Sequence, residues 1–126
     1  MDPAKVLIIE DNEVMARLWQ MAMAGSEFEG VIALTGKDGL DKAKSLKPVA
    51  VLLDLMIPDM DGFQILRELK KGETSSIPII VLSQLTGHED FLEAKTLGAV
   101  EYFVKSSIQP DQLAAKIRAA LTKVNR

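Results

Sequence analysis

The sequence predicts an α/β protein built on a parallel sheet, and three observations carry that expectation. Val49-Ala50-Val51-Leu52-Leu53 is an apolar run without alternation, the pattern of a strand buried on both faces. Lys5-Val6-Leu7-Ile8-Ile9 and Pro78-Ile79-Ile80-Val81-Leu82 are similar runs, and segments of helical spacing lie between them. Each run ends on a side chain with chemistry: Glu10-Asp11, Asp54 and Ser83. In open parallel sheets, ligands bind just outside the carboxyl ends of the strands. By position alone Asp54 reads either as a site residue or as a carboxylate that only satisfies loop amides.

The elements follow in order. After the first strand, Val14, Leu18, Met21, Ala22 and Gly25 recur at helical spacing, with Asp11 or Asn12 placed as the cap. Trp19 falls one position off that stripe, and spacing assigns it to neither core nor surface, whereas Met15, Met21 and Met23 are expected in the core or at its edge. Gly25 and Ser26 close the helix. Residues 31–34 form a short strand, Gly36 to Gly39 a turn, and Leu40, Ala43 and Leu46 a second helix that stops before Pro48. The central strand, 49–53, runs into a loop with Pro58 and Gly62 that continues neither strand nor helix. Phe63, Ile65, Leu66 and Leu69 mark a third helix ending near Gly72, and Thr74-Ser75-Ser76 is a polar connector.

Pro78 suits the first position of the fourth strand. Residues 83–89 read as a loop, with His88 solvated, and 90–97 as a fourth helix closed by Gly98. A fifth strand, 100–104, ends at Lys105. Pro110 then opens a last helix with Leu113, Ile117, Ala120 and Leu121 on one face. Strand and helix alternate five times without repeats. The expected fold is a flavodoxin-like, doubly wound (βα)5 sheet of order 2-1-3-4-5, with strands one and three meeting at a switch point.

Composition narrows the function classes. A chain of 126 residues is read as one domain, 1–126, with no effector domain expected in this chain. Cysteine is absent and His88 is the only histidine, so thiolate and multi-histidine metal sites are excluded. A net charge of −3 gives no footprint for direct nucleic-acid binding. No apolar run reaches the ~20 residues of a membrane span, and the amino end lacks a secretory signal, so a cytoplasmic location is expected.

In the expected topology Glu10, Asp11, Asp54, Ser83 and Lys105 share one sheet edge. Three carboxylates within ~4 Å would repel by roughly 4 kcal/mol per pair at an effective dielectric near 20, which calls for a cation. An oxygen-only donor set favours Mg²⁺. Metal, hydroxyl and lysine around one carboxylate make a pocket for a tetrahedral dianion, and a carboxylate can form an aspartyl phosphate.

These residues resemble the receiver domain of two-component response regulators, over essentially the whole length. The matching features are Glu10-Asp11, Asp54 with Pro58-Asp59-Met60-Asp61-Gly62, Ser83, and Gly98-Ala99-Val100-Glu101-Tyr102-Phe103-Val104-Lys105. The resemblance implies that Asp54 takes a phosphoryl group from a sensor histidine kinase or phosphotransfer protein. It implies Mg²⁺ held by Asp11, Asp54 and the Met56 carbonyl, with Glu10 acting through water, and Ser83 and Lys105 on phosphoryl oxygens. Tyr102 falls on the family's switch aromatic, and the output face is that of the fourth helix, fifth strand and fifth helix. A downstream protein target or effector domain is the implied partner, and a phosphorylation-dependent dimer is compatible with it. Such a domain catalyses only its own phosphorylation and dephosphorylation and is not otherwise an enzyme.

Three departures stand out. Glu10 occupies a position that is often aspartate in the family. Ser106 stands where a cis proline is usual, so a trans bond is expected there. Gln84 stands where the family has a small residue, and it is expected to modulate access to Asp54. Two rival readings remain: a receiver-like interaction module that works without phosphorylation, and a phosphatase of the haloacid dehalogenase type. Asp59-Met60-Asp61-Gly62 superficially fits the latter's signature, but a proline loop rather than a buried strand precedes it.

Overall fold

The computed structural model describes residues 2–124. Five strands, β1 (Ala4–Ile9), β2 (Phe28–Ala33), β3 (Ala50–Leu53), β4 (Ile79–Ser83) and β5 (Glu101–Val104), form one sheet of order β2-β1-β3-β4-β5. Every pairing is parallel. Five helices alternate with them: α1 (Glu13–Ala22), α2 (Gly36–Leu46), α3 (Gly62–Leu69), α4 (His88–Thr96) and α5 (Leu113–Val124). The flavodoxin-like order expected from the sequence is the order observed.

Side chains alternate across a strand, and here the alternation divides the core in two. Leu7, Ile9, Val51, Leu53, Ile79 and Val81 face α2, α3 and α4. Their neighbours Val6, Ile8, Ala50, Leu52, Ile80 and Leu82 face α1 and α5. With both faces covered, these strands carry no polar side, which is why they read as unbroken apolar runs. Each such buried Leu or Ile contributes about 1.5–3 kcal/mol relative to exposure.

Element ends shift: β2 starts at Phe28 rather than at residue 31 and ends at Ala33, and α4 starts at His88 rather than at residue 90. Two further local expectations fail. Residues 36–39 are the first turn of α2 rather than a separate turn. Gly36 and Gly39 lie within the helix, and added Cβ atoms there would run into Ile65 and Ile9, so their small size serves close packing, not a bend. On α1 the buried residues are Ala16 and Trp19, followed by Met23 at its C-cap, whereas Val14 (77% exposed) and Met21 (71%) face outward. Glu13, Arg17 and Gln20 leave a broad apolar arc on this helix, so spacing alone did not choose the packed stripe within it. The small Ala16 lets the helix sit close to the sheet, and Trp19 (2% exposed) fills the space towards Leu113 and Ile117. Among the described residues its indole N–H finds no acceptor, a deficit of about 1–3 kcal/mol.

Candidate functional site

Strand register decides which side chains meet. Ile9 pairs with Leu53, and the Asp54 N–H donates to the Ile9 carbonyl at 3.0 Å, so Glu10 and Asp54 leave adjacent strands side by side. Leu53 pairs with Val81, and Ser83 with Val104, which brings Ser83 and Lys105 to the same edge. Asn12 caps α1 by accepting the Met15 N–H at 3.0 Å, and Asp11 sits in the short link between Glu10 and that cap.

The result is a cavity of about 230 Å³ lined by Glu10, Asp11, Asp54, Met56, Gln84 and Lys105, with Asn12 and Met15 at its side. One carboxylate oxygen from each of Glu10, Asp11 and Asp54 lies within 4.8 Å of the others. Glu10 (2% exposed) and Asp54 (6%) are buried, and Asp11 is open to solvent. Lys105 Nζ donates to Glu10 Oε1 at 2.5 Å and to Asp54 Oδ2 at 3.1 Å. Asp54 Oδ1 accepts the Met56 N–H at 3.0 Å, and Glu10 Oε2 accepts the Asn12 N–H at 3.1 Å.

Burial, with the Asp54 charge nearby, holds the Glu10 carboxyl above its ordinary value against the pull of Lys105. Burial alone would lower Lys105, but its bonds and proximity to Glu10 and Asp54 outweigh that and raise it. With all groups in their usual charge states, three carboxylates and one ammonium leave two negative charges. That residue of charge and the all-oxygen donors fit one hard divalent cation. Lys105 begins a 3-10 turn (Lys105–Ser107), and the bond to Ser106 is trans, as expected.

Ser83 is fully buried at the end of β4, and its Oγ accepts the Leu85 N–H at 3.2 Å. The Tyr102 hydroxyl donates to the Leu85 carbonyl at 2.9 Å. One peptide segment thus joins the two, a link that sequence spacing does not reveal. Burial, then the Asp90 charge, raises the Tyr102 hydroxyl. Its ring meets Phe91 edge-on at 5.8 Å, and exposed His88 stacks on Phe91 at 6.4 Å. Gln84 is exposed beside the cavity, where the sequence placed it. Every site residue expected from the sequence lies at this edge except Tyr102, which pairs with Val81, two residues before the Ser83–Val104 pair, and bonds to the Ser83–Leu85 loop.

A five-stranded doubly wound sheet with an acidic cluster and a bonded lysine at its carboxyl edge defines an α/β module with a polar site just outside the strand ends. The model of the response regulator receiver domain matches residues 6–118. The chain is 33% identical to a probable transcriptional regulator, ycf27, of Porphyridium aerugineum, over 100% of this chain and 51% of that protein. It is 34% identical to the response regulator ArlR of Staphylococcus saprophyticus, over 94% of this chain and 53% of that one. The fold matches a CheY-like receiver domain protein of Methanospirillum hungatei with a TM-score of 0.88 at 24% identity, covering 98% and 97% of the two chains. The chain belongs to the receiver domain family of two-component response regulators. It spans about half the length of the curated relatives it matches.

Proposed function

We propose that Asp54 is the phosphoacceptor of this receiver and that its chemistry is Mg²⁺-dependent. The observation that carries the reading is the meeting of Glu10, Asp11 and Asp54 with Lys105 in one cavity at the carboxyl edge of the sheet. Asp11, Asp54 and the Met56 carbonyl would hold the ion directly, and Glu10 through water. The bound ion would neutralise charge on the transferring group. An Asp54 oxygen forms the new bond to phosphorus while the P–N bond of a phosphohistidine donor breaks and its electron pair stays on the imidazole. Lys105, released from part of its bond to Asp54, and Ser83 then face phosphoryl oxygens.

The partner is a sensor histidine kinase or phosphotransfer protein, consistent with exposed Val14 and Met21 on the helix that starts at the cavity. Beyond its own phosphorylation and dephosphorylation the chain needs no further enzymatic role. The output is a shift in population: once Ser83 Oγ turns to the phosphoryl group, the Leu85 N–H loses its acceptor and Tyr102 resettles with it. The α4-β5-α5 face then binds a downstream protein target or effector domain, or a second phosphorylated copy, in the cytoplasm. Gln84 modulates access to Asp54.

Acetyl phosphate with Mg²⁺ is expected to add one base-labile phosphate to the wild type, absent from Asp54→Asn and suppressed by excess chelator. Undiminished labelling of Asp54→Asn would remove the assignment. No labelling of the wild type would favour an interaction module, and continuous turnover a phosphatase.

A further inference from the structure

The loop after Asp54 is tied to a helix that no catalytic argument has used. Met56 and Asp61 form an isolated bridge that closes the base of the loop, and the Asp61 carboxylate caps α3 by accepting the Phe63 N–H at 2.9 Å. At its tip, Asp59 reaches across to α2. Asp59 Oδ1 accepts the Gly36 N–H at 2.8 Å, and Oδ2 accepts the Lys37 N–H at 3.2 Å. The next N–H of that helix, from Asp38, goes to Thr35 Oγ1 at 3.0 Å, and that of Gly39 to the Thr35 carbonyl. The N–H groups of Gly36, Lys37 and Asp38, which a helix start leaves without intrahelical partners, are therefore all satisfied, two of them by a residue of the Asp54 loop.

We propose that Asp59 is a positioning residue for the cation chemistry at Asp54, holding the Met56 segment in place by gripping the start of α2. The proposal rests on the reading of the acidic cluster as a Mg²⁺ site. The grip has little slack. Adding a Cβ at Gly36 would bring it to 2.7 Å from Ile65 and 3.0 Å from Met60, so the helix start and the loop are pressed together. A Cβ at Gly62 would stand 2.3 Å from the Leu55 backbone, which fixes the loop's other end. Between these two anchors lies Met56, whose carbonyl needs a set position because a rigid oxygen ligand gives up less conformational freedom on binding. The two N–H bonds, that of Gly36 foremost, hold the Asp59 carboxyl below its ordinary value, so the grip stays charged near neutral pH.

Two caps on one helix make the test. Asp59→Ala removes the cap that belongs to the loop, whereas Thr35→Ala removes one that does not touch it. Mg²⁺ titration followed by amide chemical shifts, well below the unfolding temperature, should give a half-saturation about 10-fold higher in Asp59→Ala, in line with supporting residues of metal sites. Asp59→Asn keeps one acceptor oxygen and should fall between the two. Thr35→Ala should lower the Tm while leaving the Mg²⁺ half-saturation unchanged. An unchanged half-saturation in Asp59→Ala, or an equal rise in Thr35→Ala, overturns the proposal. If Asp59→Ala does not fold, Asp59→Asn against Thr35→Ala decides by the same criterion. Failure of the wild type itself to bind Mg²⁺ would instead remove the reading of the cluster.

Discussion

Glutamine at position 84 places a long side chain beside a cavity of only about 230 Å³. Bulk acts in any rotamer, whereas a glutamine that orients an attacking water must adopt one geometry, so obstruction is the favoured effect. Asp54 phosphate is therefore expected to be long-lived, and Gln84→Ala to shorten its lifetime several-fold in single-turnover decay with Mg²⁺ and without kinase. An equal or longer lifetime in the variant would show that Gln84 does not shield the phosphate. At this scale Glu10, Asp11, Asp54, Ser83 and Lys105 were legible because the chemistry fixes their type and the strand ends fix their place. Asp59 was not. Its partners are main-chain groups more than twenty residues away in a helix start that the sequence reading took for a turn, and Thr35 with Asp38 three residues on was the overlooked capping signal.

Helices were harder to read than strands. The central strands are covered on both faces, so their middle residues are apolar, and runs of four or five such residues bounded by polar ends read as buried strands. The α1 segment offered two apolar stripes, and only the seat prepared by the sheet and α5 selects between them. The same helix α5 carries an exposed tie that pH can probe: Arg118 Nε and Nη2 donate to Glu27 Oε2 and Oε1 at 2.6 and 2.7 Å, just before β2. This bidentate partner lowers the Glu27 carboxyl to about 2. A depressed folded value means that the tie contributes above the unfolded carboxylate range and is lost as pH falls through about 2. Carboxyl chemical shifts should place the Glu27 midpoint there, and Arg118→Gln should return it towards the ordinary range. A midpoint unmoved by that substitution would show the pair to be incidental.

For the whole molecule, parallel register is what turns distant sequence positions into one site. Residues 10, 54, 83 and 105 meet because all strands point the same way, and topology could be inferred from the alternation of elements before any contact was known. The tie between Ser83 and Tyr102 could not be inferred that far, since it runs through Leu85, whose N–H serves Ser83 and whose carbonyl serves Tyr102. Beryllofluoride with Mg²⁺ is expected to change amide shifts across α4, β5 and α5 as well as around Asp54. Changes confined to the loops that touch Asp54 would mean that the far face does not respond.

The solitary Trp19 has a use outside signalling. It lies among apolar side chains of the α1–α5 layer, and its buried indole N–H has no hydrogen-bond partner among the described residues. An excited indole in such dry surroundings has no dipoles to relax against, so its emission should sit at the blue end of the tryptophan range and move to the red when water enters. The chain thus carries its own optical thermometer of integrity, set in the layer opposite α2 and α3, against which variants at the sheet edge can be checked for folding without a label.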